Sequence, residues 1–98
     1  MVVGSLSLDL LLGDVHSLKD KRSQVRPLVA QLRRDHPVSV AEVGYHDLHR
    51  RTLVGVAVVG ATAALVGRVL DEVETAVSDQ PHLVLLAARR RVVFEEDE

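Results

Sequence analysis

Residues 5 to 12, SLSLDLLL, alternate strictly, with Leu6, Leu8, Leu10 and Leu12 on one side of the chain and Ser5, Ser7 and Asp9 on the other. A period of two is the mark of a half-buried β-strand. The period then lengthens. Leu18, Val25, Leu28, Val29 and Leu32 recur at helical spacing, Ser17 stands where an N-cap belongs, and Asp20 takes the capping-box position three residues on. A helix is therefore predicted over about 18 to 35. Pro27 lies inside this stretch and cannot donate an intrahelical hydrogen bond. The pattern predicts either a kink there or a helix that starts near Ser23 after a looser turn.

Two β-branched runs follow. PVSVAEVGYHDLHRR reads as a strand that leaves its regular path near Gly44 and turns at around Asp47 to Arg51, and TLVGVAVVG reads as its hairpin partner. ATAALVGRVLDEVETAVSDQ returns to helical spacing, with Leu65, Val66, Val69, Leu70, Val73 and Val77 on one side and the acids on the other. LVLLAARRRVVF, after Pro81 and His82, is a last strand, and EEDE is a solvated tail. The order β-α-β-β-α-β has a usual solution: a ferredoxin-like α+β sandwich of one four-stranded antiparallel sheet with two helices on one face. Residues 1–94 form one such domain in this reading, and 95–98 an acidic tail.

Composition acts mainly by exclusion. The 98 residues suit one domain, and the absence of cysteine removes disulfides, thiolate zinc sites and a cysteine nucleophile together. A reducing, cytoplasmic compartment is expected. The apolar N-terminus has no basic leader and alternates around Asp9, so it reads as a strand, with no membrane association. Net charge is only -2 but unevenly spread: residues 17 to 35 carry six cations against two anions, and residues 62 to 79 one against four. Such a molecule is electrically two-sided.

HSLKDKR, followed in order by VSVAEVG, HDLHRR and GVAVVG, resembles the YlxP-like family of small bacterial proteins of unknown function. The resemblance covers nearly the whole chain and departs from the family chiefly in the acidic tail. It implies a ferredoxin-like fold. Through the family's gene neighbourhood beside translation initiation and ribosome-binding factors, it also implies a link to ribosome or RNA metabolism. It supplies no catalytic residues.

The cations of HSLKDKR sit where a helix begins, although that end carries partial positive charge and favours acids. At 100° per residue, Lys19, Arg22, Arg26 and Arg33 share one flank of the first helix, beside the core stripe. Such a row can track a phosphate backbone. The competing reading leaves these side chains solvated or paired within the fold. Lys21 falls on the core stripe itself, where its stem can pack and its ammonium can reach Glu42 as a structural ion pair. His46, His49, Arg50 and Arg51 offer a second basic patch for RNA, or simply a solvated turn. Arginine outnumbers lysine ten to two, a ratio that genome composition can produce as well as phosphate binding.

Other chemistry finds little support. Glu42, an isolated acid in an apolar strand, could act as a raised-pKa base only in a pocket, and reads more simply as half of an ion pair. His46, Asp47 and His49 have no identified third ligand, since residues three apart in a strand point to opposite faces, so no metal and no cofactor are assigned. No phosphate loop, carboxylate pair or serine elbow appears, and the chain reads as non-enzymatic. Alternation turns Arg90 away from Arg89 and Arg91 at a solvated strand end. The third strand is apolar on both faces and the fourth is patterned alike through Leu83 to Ala88, so a homodimer packed sheet on sheet is expected. The leading expectation is an RNA-facing or ribosome-associated module. The alternative is a dimeric protein-interaction or small-ligand module with no nucleic-acid role.

Overall fold

A computed structural model describes residues 1–96. Its elements are β1 (Val2–Leu12), α1 (Leu18–Asp35), β2 (Ser39–Gly44), β3 (Arg51–Gly60), α2 (Ala63–Ser78) and β4 (Leu83–Phe94). The strands make one antiparallel sheet in the order β2-β3-β1-β4, with both helices on one face. This is the ferredoxin-like α+β arrangement that the periodicities predict. Residues 97 and 98 of the expected tail lie outside the described residues. Glu95 still pairs with the sheet, its N–H donating to the Met1 carbonyl at 2.8 Å.

The leucines of β1 explain the layering. Leu6, Leu8, Leu10 and Leu12 are buried, and Val54, Val56 and Val58 of β3 face the same way. Val66, Val69, Leu70, Val73 and Val77 of α2 close over them, with Leu28 and Leu32 of α1. The α2 contact is close at Gly4, where a Cβ would collide with a methyl of Val66. α2 covers β1, β3 and β4, whereas α1 leans towards the edge strand β2. That tilt leaves Leu18 exposed, outside the core stripe expected of it, while Val29 packs half-buried against the core.

α1 starts at Leu18, and Pro27 does not interrupt it. The start is fixed by Ser17, whose Oγ accepts from the Asp20 N–H at 3.0 Å, while Asp20 Oδ2 accepts from the His16 N–H at 3.2 Å. The reciprocal bond of a capping box thus lands one residue early. Pro27 lies on the solvent side, where water can satisfy the carbonyl that its missing N–H leaves.

The open face of the sheet differs from expectation. A register shift opposite Asp9 and Leu10 leaves Leu86 unpaired and reverses the alternation of β4. Arg90 consequently turns to the helix side and meets Asp71 of α2 at 2.8 Å, while Arg89 and Arg91 lie beside Ser7 and Ser5. With the Asp9–Arg51 pair, these residues draw a polar band across a surface predicted to be apolar. Val43, Val59 and Val84 remain more than half exposed around it. Among the described residues no helix is long and apolar enough to cross a membrane.

Candidate functional site

Because α1 leans over an edge strand with no further strand beyond it, a cleft of about 550 Å³ opens between α1 and β2. Its apolar wall comes from Leu18, Val25, Val29 and Ala30 of α1 and Ala41 of β2. Arg22 and Arg26 stand on the α1 rim, with Glu42 and His46 on the strand side. The volume falls within the range of small-ligand sites.

Lys21 closes one end from below. Its side chain is only 3 % exposed, and Nζ donates to Glu42 Oε2 at 3.1 Å and to the Tyr45 carbonyl at 2.6 Å. Tyr45 presents that carbonyl from a left-handed conformation, φ 60°. A non-glycine residue adopts this at a cost of about 1–2 kcal/mol, which a buried charge-assisted hydrogen bond offsets. The same carbonyl accepts from the Leu48 N–H at 3.0 Å and so fixes the following turn.

Glu42 has two unlike oxygens. Oε2 accepts from Thr52 Oγ1 at 2.5 Å as well as from Lys21. Oε1 has no nearer partner among the described residues than His46 Nε2 at 3.9 Å, and it is not shut off from solvent. Burial on its own would push the Glu42 carboxyl up. The Thr52 hydrogen bond, then the hydrogen bond and charge of Lys21, with the nearby His46, outweigh that and hold it below the ordinary carboxylate range. Glu42 is therefore a fixed anion with one free acceptor facing a cation-rimmed cleft. A depressed pKa makes it a poor general base near neutral pH.

The sequence-predicted cations divide. Lys19, Arg22 and Arg26 are exposed and have no hydrogen-bond or ion-pair partner among the described residues. Arg33 differs: its Nε and Nη2 donate to the Val40 carbonyl at 3.1 and 2.5 Å. Arg33 thus ties α1 to the edge strand β2 while lining the same cleft as Arg22 and Arg26. Arg50 Nε donates to the Leu12 carbonyl at 3.2 Å, prolonging the β1 pairing beyond β3. Arg51 lies within β3, grips Asp9 at 2.7 and 3.0 Å, and carries the Tyr45 ring 4.8 Å from its guanidinium carbon. The expected patch at 46–51 is thus pulled apart, because a backbone carbonyl and a carboxylate of β1 claim its arginines. Only His46 of that patch reaches the cleft. Among the described residues no three His, Asp or Glu side chains gather as a metal site.

Fold and site together define a small ferredoxin-like α+β protein with a cation-rimmed cleft beside an edge strand. The chain belongs to the family described as Protein of unknown function (DUF503), whose model matches residues 3–90. It is similar to the uncharacterized protein YlxP of Bacillus subtilis (strain 168), with 26% identity over 82 residues, covering 84% of this chain and 89% of that protein.

Proposed function

We propose that this protein is a non-enzymatic RNA-binding accessory, associated with ribosomal RNA, that grips the phosphate backbone through Lys19, Arg22 and Arg26. The observation that carries the reading is that these three cations are exposed and unpartnered in the first turns of α1. Lys19, in the first turn, opposes the helix dipole, and Arg22 and Arg26, four residues apart, repel one another. A polyanion relieves both costs. The gene neighbourhood implied by the family resemblance supports the same direction.

Binding to small ribosomal subunits and to total RNA across a salt series tests this. Three phosphate contacts give a slope of about -2 in log K against log salt for a single strand. The variant carrying Lys19→Gln, Arg22→Gln and Arg26→Gln should lose both the affinity and the slope. Binding that the variant keeps would refute the reading. A second reading, a homodimer through the open face of the sheet, is favoured by exposed Val43, Val59 and Val84 and weakened by the polar band between them. Sedimentation equilibrium decides it.

A further inference from the structure

The cleft does more than carry cations. Glu42, which the fold holds there as the partner of Lys21, repels the anion that Arg22 and Arg26 attract, so a phosphate alone answers only the basic side of the cleft. The pairing of opposite charges suits a ligand with two unlike ends: a phosphate for the arginines and an N–H donor group for Glu42 Oε1. An unpaired nucleotide has both. We propose, resting on the RNA-binding reading above, that the α1–β2 cleft takes one unpaired nucleotide of a single strand whose base bears an exocyclic amine. The phosphate lies on Arg22 and Arg26, and the amine donates to Glu42 Oε1.

The selection follows from the donor pattern. Cytosine N4, adenine N6 and guanine N2 are amines, whereas uracil offers one N–H flanked by two carbonyl oxygens that a carboxylate repels. Lys21 and Thr52 keep Glu42 ionised and occupy Oε2, leaving Oε1 to the ligand. A duplex cannot supply the contact, because its Watson–Crick edges are already paired. Tyr45, the one tyrosine, stacks on Arg51 on the open face. The base therefore rests against the aliphatic wall at Val29 and Ala30, with Arg22 and Arg26 kept for the phosphate.

Fluorescence anisotropy with oligo-C8 and oligo-U8 RNA isolates the amine, since the two probes share length, charge and pyrimidine size. C8 should bind about tenfold more tightly than U8, and a twelve-base-pair RNA duplex more weakly than C8. Ala30→Phe fills the cleft from an exposed position without touching Lys21 or Glu42. It should abolish the preference for C8 while leaving weak, salt-sensitive binding to the rim cations. Equal affinity for C8 and U8, a preference that survives Ala30→Phe, or duplex binding as tight as C8 would each overturn the proposal while leaving the RNA-binding reading standing. Free CMP binding as tightly as C8 would also overturn it, by assigning the cleft to free nucleotides. No RNA binding at all would bring down both readings.

Discussion

Removing Glu42 should cost far more than removing its partner. Lys21 is 3 % exposed at the side chain and Glu42 22 %, so Glu42→Ala strands an ammonium in the core while Lys21→Met leaves a carboxylate at the cleft wall. Breaking a buried pair from one side costs about 3–5 kcal/mol. The Tyr45 carbonyl at 2.6 Å and the His46 carbonyl at 3.5 Å still receive the ammonium, which brings the expected loss for Glu42→Ala to about 2–3 kcal/mol. In a domain of this size that lowers Tm by roughly 10–20 °C. Lys21→Met keeps the volume of the stem, and Glu42 retains Thr52 and water, so its cost is about 1 kcal/mol. With no buried charge left unpaired, the double variant should lie close to Lys21→Met, a coupling of about 2–3 kcal/mol. Urea unfolding followed by far-ultraviolet circular dichroism, with m-values compared, measures all four proteins. Equal losses in the two single variants, or a double loss equal to their sum, would refute the reasoning.

Four further outcomes are expected. The Glu42 pKa is lower folded than unfolded, so its contribution is present above the ordinary carboxylate range and lost as pH falls through the depressed value; acid titration of stability should be shallower in Glu42→Gln than in wild type. Gly4→Ala drives a methyl into Val66 and should cost about 1–3 kcal/mol in urea melts, and a loss below the measurement error would contradict the tight α2 contact. Arg33→Gln uncaps the Val40 carbonyl and should cost about 1 kcal/mol in the same assay while leaving the salt slope of RNA binding unchanged. Arg22→Glu replaces a repulsive pair with an attractive one near a helix start and should raise stability by about 0.5–1 kcal/mol while RNA affinity falls.

What the sequence made legible were features set by local period. The β1 alternation shows which leucines meet the helices, and the stripe position of Lys21 points to Glu42, because both depend only on which face a residue occupies. The partners of Arg33, Arg50 and Arg51 stayed hidden, since two are backbone carbonyls and the third is Asp9, 42 residues away. A carbonyl has no signature in residue identity. The unpaired Leu86 was equally silent: one extra residue in β4 moves the arginine run by a face, and no glycine marks it. Nor did Tyr45 announce its left-handed turn. The cleft itself could not be read from α1, because Leu18 looks like core until the tilt of the helix exposes it and leaves Val29 half-buried at the cleft wall.

The basic start of α1 resolves into charges with different fates. Asp20 accepts from the His16 N–H just ahead of the helix, and Lys21 is neutralised from below by Glu42 and Tyr45. Those two arrangements account for one acid and one base. Lys19, Arg22 and Arg26 are left over, on the side where the cleft opens and not on the side where Asp20 could soften them. A helix arranged for stability alone would gain by exchanging any of the three for an acid, since each costs a few tenths of a kcal/mol where it stands. Arg33, on the same flank about two turns after Arg26, shows that this chain can tie an arginine to β2 where the edge needs covering. Arg22 and Arg26 line the same cleft and are not tied. The contrast within one row of like side chains, and not basicity as such, is what supports the proposal that the two rim arginines meet an anion.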